Sequence, residues 1–345
     1  MNMRYPKSLP AGGTIGFVAP AFGCATEPYR TGFNAARLHL EQMGYRTQVG
    51  PNCYEAKGIG ISNTPEACGE ELTRFYCSSE NQALISCGGG ELMCTTLDFV
   101  DFDRIRAAEP KWYMGYSDNT NFTFLLATLC DVASIYGPCA AEFGMTPWDP
   151  AIRDAFDLLT GAKKHFSGYE KWEKESLKSE ENPLAPYHLT EAKQLRLFSQ
   201  SGNPADKVSM EGRLIGGCLD CLSMLAGTCY DHVVDFAERY QNDGLIWYLE
   251  SCDLNVMSIR RVMWQLSHAG WFEHVKGFVI GRPLCFGQEL MGMDSYEAVM
   301  GVVREYRVPV IMDADFGHLP PKMPMINGGF ARITADEVNW EVTYL

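Results

Sequence analysis

The stretch KWYMGYSDNTNFTFLLATLC, residues 111–130, changes its hydrophobic pattern at Ser117. The residues before Ser117 form a short apolar run that is typical of a buried strand. From Phe122 onward, apolar residues recur at intervals of three and four, and Asp118 or Asn119 can cap the helix that this spacing indicates. The sequence therefore predicts a strand, a turn at Ser117 and a helix.

A serine at this corner would lie at the N-terminus of a helix, where backbone N–H groups and the helix dipole favour negative charge. A tetrahedral oxyanion would be stabilised there, so the pattern is compatible with a nucleophile elbow. However, the motif is not G-x-S-x-G, because Asn119 stands where the second glycine would be. A simple N-cap role for Ser117 also explains the pattern, which leaves both interpretations open.

Strand-sized apolar runs alternate with helical patterns on both sides of this corner. TIGFVAPAFG (14–23) and NQALISCGGG (81–90) each end in glycine and lead into a helical pattern. Strands that alternate with helices indicate βαβ units and a mainly parallel sheet, and this pattern continues to about Asp149. A second region of alternating strands and helices begins at Met210.

The stretch 166–209 between these regions is charged, aromatic and poor in aliphatic residues. It is too long for an ordinary connection, so it is either a solvated linker or a lid over a site, and Trp172 is a residue that a lid would use. We therefore expect an N-terminal domain over 1–165, a linker or lid insert over 166–209 and a C-terminal domain over 210–345.

The formal net charge is −14, from 43 acidic and 29 basic side chains, and no basic run exceeds two residues. A nucleic-acid backbone or an anionic membrane needs a basic patch, so the charge argues against both partners. No apolar stretch approaches the roughly 18 residues of a membrane span, and the N-terminus lacks the long apolar core of a signal peptide. We expect a cytoplasmic protein.

Thirteen cysteines are scattered along the chain, several of them inside apolar runs. This distribution is typical of buried, reduced thiols that pack as small hydrophobic side chains. Cys218 and Cys221 form one C-x-x-C motif, but a structural zinc site would normally have a second Cys or His pair. We expect no metal; core packing is the favoured interpretation of the motif, and a redox role is the alternative.

Three glycines, Gly88 to Gly90, follow a predicted strand and precede a helical pattern. Such a turn can cradle a phosphate, donate an amide to an oxyanion, or serve only as a tight turn. It lacks the Lys-Ser/Thr ending of a Walker loop and the spacing of G-x-G-x-x-G. A dinucleotide site is therefore not predicted, and the other roles stay open.

Glu250 and His318 lie at the ends of predicted strands. Glu250 ends the apolar run LIWYLE, and His318 follows VIMDADFG. Ligands bind along the carboxyl edge of α/β sheets, and a nucleophilic serine needs a base with an orienting carboxylate. Of the seven histidines, only His318 stands at a strand end beside glycine and proline. Asp313 and Asp315 are rival carboxylates, and a structural role explains each of these four residues as well.

Six motifs are spread over nearly the whole chain: GTIGFVAPA, CGGGE, GYSDNT, RLIGGCL, WYLES and DFGHLPPKMPMINGG. In these motifs the sequence resembles the LD-carboxypeptidase family of serine peptidases, which includes muramoyltetrapeptide carboxypeptidases and microcin C immunity peptidases. The resemblance implies Ser117 as nucleophile, Glu250 as orienting carboxylate and His318 as base. It also implies the backbone amides of Gly89 and Asp118 as the oxyanion hole.

The same resemblance implies an α/β protein with an N-terminal flavodoxin-like, or class I glutamine amidotransferase-like, parallel-sheet domain. It implies a C-terminal swivelling β/α domain and a homodimer as well. It implies that the protein uses no metal and no organic cofactor. The implied reaction is hydrolysis of an amide bond in a small peptide or a peptidyl-nucleotide. The candidate substrates are a muropeptide tetrapeptide with a terminal D-residue and a peptidyl- or aminoacyl-adenylate of the microcin C type.

Two departures from the usual family motifs bear on the substrate. The turn reads CGGGE (87–91) instead of Arg-Gly-Gly-Tyr-Gly, and Cys218 stands where the family often has asparagine. The turn and the long insert are more similar to the microcin immunity branch. Gly90, Glu91 and Trp172 are candidate substrate contacts, and stacking of Trp172 on a purine would favour the adenylate.

Two alternatives to a serine hydrolase remain. A non-catalytic module could hold an anion or a nucleotide on the Gly88–Gly90 turn without turnover. A hydrolase could instead use a cysteine as nucleophile, since Cys87 precedes the glycine turn and Cys139 follows a Gly-Pro pair. Neither cysteine has an elbow context like that of Ser117.

Overall fold

The computed structural model describes residues 2–345, which divide into two compact units. Each unit is assembled from three segments of the chain. Unit 1 comprises Met1–Lys163, Glu175–His188 and Pro324–Ile326. Unit 2 comprises Lys164–Lys174, Leu189–Met323 and Asn327–Leu345.

Strands and helices alternate along most of the chain. The strands are β1 (Thr14–Val18), β2 (Arg46–Val49), β3 (Ala83–Ser86), β4 (Trp112–Gly115), β5 (Ser134–Tyr136), β6 (His165–Ser167), β7 (Lys171–Trp172), β8 (Glu191–Ala192), β9 (Arg196–Phe198), β10 (Lys207–Cys218), β11 (Leu245–Glu250), β12 (Val275–Gly281), β13 (Val310–Ala314), β14 (Met325–Asn327), β15 (Phe330–Asp336) and β16 (Trp340–Tyr344). The α-helices are α1 (Tyr29–Gln42), α2 (Pro65–Cys77), α3 (Phe102–Ala107), α4 (Thr120–Cys130), α5 (Pro150–Thr160), α6 (Leu219–Leu225), α7 (Val233–Arg239), α8 (Val256–His268) and α9 (Ser295–Val303). Within residues 2–345, none of these helices combines the length and the apolar character that a bilayer crossing requires.

The sheet of unit 1 has the strand order β14-β5-β4-β3-β1-β2, in which β1 to β5 run parallel. The order 2-1-3-4-5 is that of flavodoxin-like folds, and the predicted α/β class is confirmed. β3 and β4 are buried along their whole length, as expected for parallel strands that are covered on both faces. Their carboxyl ends place the Gly88–Gly90 turn and Ser117 at one edge of the sheet.

Aromatic packing holds α4 against this sheet. Phe122, in the first turn of the helix, meets the Tyr113 ring edge-on with ring centroids 4.7 Å apart, and it meets Tyr76 in the same way at 5.9 Å. All three rings are buried, and such pairs contribute about 0.5–1.5 kcal/mol beyond the apolar area that they bury. The N-terminus of α4 is therefore fixed next to the end of β4.

The sheet of unit 2 has the strand order β6-β16-β15-β10-β11-β12-β13-β9. Its inner strands β10 to β13 run parallel, and the strands on either side pair antiparallel. In the register of β10 on β11, Cys218 lies opposite Glu250. β13 ends at Ala314, shortly before His318. The carboxyl ends of these strands therefore gather Cys218, Glu250 and His318 at one edge.

The insert that the sequence predicts over 166–209 does not form a unit of its own. Its middle part, Glu175–His188, belongs to unit 1, where the Thr146 amide donates a 3.3 Å hydrogen bond to the Leu184 carbonyl. In unit 2, β9 extends the edge of the main sheet, and β7 pairs with β8. The backbone of the insert thus gains hydrogen-bond partners in both units, which a solvated linker would not.

Candidate active site

Ser117 occupies a strained corner between β4 and α4. Its φ angle is +61°, in the left-handed region that costs a non-glycine residue about 1–3 kcal/mol. A 3-10 turn covers Ser117–Asn119, and α4 begins at Thr120. The Ser117 amide donates a 3.1 Å hydrogen bond to the Tyr136 hydroxyl. The predicted strand, turn and helix are confirmed, and the positive φ is typical of a nucleophile elbow.

Asn119 connects this corner to the glycine turn. Its side-chain Nδ2 donates to the Gly88 carbonyl at 2.8 Å and to the Tyr116 carbonyl at 3.1 Å, while its Oδ1 accepts from the Tyr113 hydroxyl at 2.5 Å. The Asn119 side chain is fully buried, and these bonds satisfy its amide group. The residue that breaks the G-x-S-x-G pattern is therefore a brace between β4, the corner and the turn.

Gly89 brings the backbone of the glycine turn against the Ser117 side chain. A Cβ atom on Gly89 would lie 3.3 Å from Ser117 Cβ and 3.4 Å from Ser117 Oγ. The Gly89 carbonyl accepts a 2.7 Å hydrogen bond from the Phe22 amide, and within residues 2–345 the Gly89 amide has no hydrogen-bond acceptor. The backbone of Gly89 therefore passes beside Oγ, and the role of its amide in an oxyanion hole stays a prediction.

Asp118 anchors the corner through its side chain. The buried carboxylate accepts hydrogen bonds from the Met93 amide at 2.8 Å and from Asn121 Nδ2 at 2.9 Å. Gly90 packs directly against it, since a Cβ on Gly90 would lie 3.0 Å from Asp118 Oδ2. Glu91, the next residue, is exposed. Close packing therefore explains Gly90, and both it and Glu91 stay predictions as substrate contacts.

Glu250 and His318 form a hydrogen-bonded pair in unit 2. His318 Nδ1 donates to Glu250 Oε2 at 2.8 Å, and the side chains are 12% and 0% exposed, respectively. Gly317 makes this approach possible. Its φ is +102°, and a Cβ there would lie 2.8 Å from Glu250 Oε2. The arrangement supplies an imidazole that is oriented by a buried carboxylate.

Burial and the neighbouring acid act in opposite directions on the pKa of His318. Burial lowers this pKa, whereas the Glu250 carboxylate, the neighbouring Cys252 and the hydrogen bond that His318 donates to Glu250 raise it. The net effect is a pKa above the ordinary imidazole value. The acceptor at Nδ1 also selects the neutral tautomer whose lone pair is on Nε2. The pair therefore has the chemistry of a general base whose ionisation depends on Glu250.

Cys218, which its sequence context assigns to core packing, lies beside this pair. Its Sγ, a carboxylate oxygen of Glu250 and a ring nitrogen of His318 are all within 4.8 Å of one another. The Cys252 thiol is also near enough to the His318 ring to raise its pKa. The C-x-x-C spacing gave no sign of this proximity, because it arises from the register of β10 on β11. Cys218, Glu250 and His318 together could hold a metal ion.

The rival carboxylates have structural partners. Asp315 Oδ1 accepts a 2.6 Å ion-pair hydrogen bond from Arg282, and Oδ2 accepts from Trp340 Nε1 at 3.1 Å. Asp313 Oδ2 accepts a 2.5 Å hydrogen bond from the Tyr296 hydroxyl, and burial raises the pKa of the Asp313 carboxyl. These contacts tie both acids to neighbouring strands and helices, whereas Glu250 is bonded to the imidazole.

The rival cysteines are buried in unit 1. Cys87 is 0% exposed, and burial raises the pKa of its thiol well above the ordinary value. Cys139 is 3% exposed and accepts a 3.7 Å contact from Asn119 Nδ2. A nucleophilic cysteine must be an accessible thiolate, so neither residue suits that role.

Trp172 belongs to unit 2 and is only 4% exposed. Its ring lies edge-on to Phe286 at 5.0 Å, and the Arg282 guanidinium lies 5.2 Å from its centroid. Together with Arg196 and Tyr296 these residues line a cavity of about 730 Å³. The ring is thus packed at a cavity wall, and its role in substrate binding stays a prediction.

Both parts of the chain match models of one peptidase family. Residues 15–137 match the LD-carboxypeptidase N-terminal domain, and residues 211–333 match the LD-carboxypeptidase C-terminal domain. The microcin C7 self-immunity protein MccF of Escherichia coli is 26% identical over 342 residues, covering 97% of this chain and 94% of that protein. The murein tetrapeptide carboxypeptidase of Pseudomonas aeruginosa is 26% identical over 261 residues, covering 74% and 72%.

Solved structures show the same fold. MccF in complex with glutamyl sulfamoyl guanosine has a TM-score of 0.80 at 23% identity and covers 99% of this chain and 98% of its own. MccF in complex with aspartyl sulfamoyl adenosine gives the same four values. An MccF-like protein from Bacillus anthracis has a TM-score of 0.81 at 22% identity and covers 99% of both chains.

Proposed function

We propose that this chain, which belongs to the LD-carboxypeptidase family, is a hydrolase that cleaves an amide bond with Ser117, Glu250 and His318. Serine peptidase activity is the activity of the family, and relatives are named carboxypeptidases. The observation that carries the assignment of the nucleophile is the Ser117 corner, with its left-handed φ and Gly89 packed beside Oγ. An N-cap serine needs neither feature, because an N-cap residue adopts an ordinary extended backbone.

In the proposed reaction, Ser117 Oγ attacks the carbonyl carbon of the amide while His318 Nε2 takes the hydroxyl proton. Glu250 holds the ring by its hydrogen bond to Nδ1. The Gly89 and Asp118 amides receive the oxyanion, and one such donor contributes about 3–4 kcal/mol of transition-state stabilisation. His318 then protonates the leaving amine, and a water molecule deprotonated by the same ring releases the acyl group.

The proposed substrate is a peptidyl- or aminoacyl-adenylate, and a muropeptide tetrapeptide is the second candidate. The first is supported by the MccF relative, which spans nearly this whole chain, and by MccF structures that hold aminoacyl sulfamoyl nucleosides. The second is supported by the murein tetrapeptide carboxypeptidase. Stacking of a purine on Trp172 would favour the adenylate, whereas a cation that reaches a terminal carboxylate would favour the muropeptide. We place the activity in the cytoplasm and in a homodimer.

Replacing Ser117 by alanine tests the proposed nucleophile. We expect Ser117→Ala to lower turnover of the active substrate by at least 10³-fold, because no other hydroxyl replaces Oγ. The assay is release of the amino acid or peptide, measured side by side on an aminoacyl sulfamoyl adenosine and on a muropeptide tetrapeptide. Ser176→Ala, which changes an exposed serine of unit 1, serves as the matched control.

Unchanged turnover in Ser117→Ala would rule out the serine mechanism. If the wild type binds a nucleotide without turnover and Ser117→Ala binds it equally well, the protein is a binding module that uses the Gly88–Gly90 turn. Thiol alkylation that abolishes turnover independently of Ser117 would instead support a cysteine nucleophile.

A further inference from the structure

Two thiols lie at the edge of the unit 2 sheet that carries the Glu250–His318 pair. Cys218 ends β10 directly opposite Glu250, and its side chain is 1% exposed. Cys252 follows Glu250 closely in sequence, is near enough to His318 to raise the pKa of that ring, and is partly exposed. The Glu250–His318 pair is therefore flanked by two soft sulfur donors, which an acid–base pair does not need for proton transfer.

The donor atoms are close enough to share one metal ion. Cys218 Sγ, a Glu250 oxygen and a His318 nitrogen lie within 4.8 Å of one another, and Nδ1 is already 2.8 Å from Oε2. A tetrahedral zinc ion with bonds of 2.0–2.3 Å spaces its ligands roughly 3.3–3.8 Å apart. Small rotations of the side chains would thus bring all three donors to bonding distance of a common centre.

The kinds of donor select the metal. One thiol, one imidazole and one carboxylate form a mixed S, N and O set, which suits Zn²⁺ and Co²⁺. Mg²⁺ and Ca²⁺ prefer oxygen ligands throughout and have little affinity for such a set. The burial of Glu250 and Cys218 also makes an incoming cation favourable, since it neutralises a carboxylate that is shielded from water.

We propose that Cys218, Glu250 and His318 bind a zinc-like divalent cation as three of its ligands. On binding, the Cys218 thiol loses its proton to solvent and coordinates as a thiolate. The ring of His318 coordinates through Nδ1, so a neutral ring must carry its proton on Nε2.

If the proposed function holds, metal coordination through Nδ1 prevents His318 from acting as the base. A ring with its proton on Nε2 cannot accept a proton from Ser117, and Glu250 can no longer orient it through Nδ1–H. The metal-bound form is therefore inactive. Zinc would act as a reversible inhibitor. The family often has asparagine at the position of Cys218, and an asparagine would not supply this thiolate ligand.

Cobalt spectroscopy tests the site without relying on turnover. We expect Co²⁺ added to the Ser117→Ala protein to give a thiolate-to-cobalt charge-transfer band and the intense visible bands of tetrahedral coordination. The second substitution Cys218→Ser should remove the charge-transfer band or reduce it several-fold. Cys285→Ser, which changes another partly exposed thiol of unit 2, should leave it unchanged.

A spectrum without a thiolate band would overturn the proposal, even if Cys218→Ser failed to fold. A band that survives Cys218→Ser in a protein folded by circular dichroism would overturn it as well. In the active wild type, Zn²⁺ should inhibit turnover and EDTA should restore it, with Cys218→Ser at least tenfold less sensitive. A protein with no turnover that still shows the Cys218-dependent band would support the metal site and count against the proposed function.

Discussion

Asn119 explains how the Ser117 corner is held without a second glycine. Its side chain spans from the Gly88 carbonyl to the Tyr113 hydroxyl, so one residue fixes the glycine turn, the corner and β4 together. Asn119 and Tyr113 are buried and Gly88 is partly buried, and a buried polar group that loses its partner costs about 1–3 kcal/mol. The position of Gly89 relative to Oγ therefore depends on a side chain that does not itself take part in the reaction.

Replacing Asn119 by alanine should affect both stability and turnover. We expect Asn119→Ala to lower the free energy of unfolding by about 1–3 kcal/mol, because the Tyr113 hydroxyl and the Gly88 carbonyl each lose a hydrogen bond, with Ser86 Oγ still donating to that carbonyl. We also expect kcat to fall at least tenfold as the glycine turn loosens. Denaturant unfolding and steady-state kinetics measure the two effects, with the exposed Asn182→Ala as control. Wild-type kcat at reduced stability would show that the brace serves the fold alone.

In the proposed mechanism, Glu250 sets the pH range in which His318 can act as a base. Since the carboxylate raises the pKa of His318, activity should rise as the pH increases through that raised pKa, where the ring loses its proton. In Glu250→Gln the negative charge is gone, so we expect the acid limb of kcat/KM to move to lower pH. The plateau should fall at least tenfold, because the amide does not select the Nδ1–H tautomer.

The measurement is a pH–rate profile of each variant under saturating and subsaturating substrate. Glu273→Gln, which removes an exposed carboxylate of unit 2, should leave the limb in place. An acid limb that does not move in Glu250→Gln would mean that another group sets it.

At the level of elements, the sequence predicts where a strand ends better than which residues lie opposite each other on adjacent strands. Ser117, Glu250 and His318 are candidates because each stands at or just past the end of an apolar run, and the carboxyl ends of parallel strands share an edge. The contact between Cys218 and Glu250 depends instead on the register of two strands that are joined through intervening helices. Apolar periodicity carries no information on register between such strands, so the thiol was assigned to core packing.

The glycine turn offers a test at this scale. A methyl group on Gly89 would press on Ser117 at 3.3–3.4 Å, whereas one on Gly88 would make an ordinary 3.4 Å contact with the Phe22 carbonyl. Neither glycine has a positive φ, so neither substitution strains the backbone. We expect Gly89→Ala to lower kcat at least tenfold with little change in thermal stability, and Gly88→Ala to stay within threefold of wild type. Equal kcat values in both variants would contradict the position given to Gly89.

For the whole molecule, the sequence predicts a boundary near the middle of the chain, but it does not predict that each unit is assembled from three segments. The predicted boundary at residue 165 lies close to Lys163, where the first long segment of unit 1 ends. The return of the chain to unit 1 at Pro324–Ile326 was missed, because a three-residue strand such as β14 has no detectable periodicity. The segment Glu175–His188 was missed for a related reason, since it docks without regular structure of its own.

The predicted homodimer is best tested through the charge of the chain. Each copy carries a formal charge of −14, so association brings two acidic molecules together against their mutual repulsion. Salt screens that repulsion over about 8 Å at physiological ionic strength and over about 30 Å at 0.01 M. We expect light scattering to give twice the 38.5 kDa of one chain at physiological salt, and a shift toward one chain as the salt is diluted. A mass of one chain at every salt and protein concentration would contradict the dimer, whereas a dimer that tightens at low salt would show that charges of opposite sign meet across its interface.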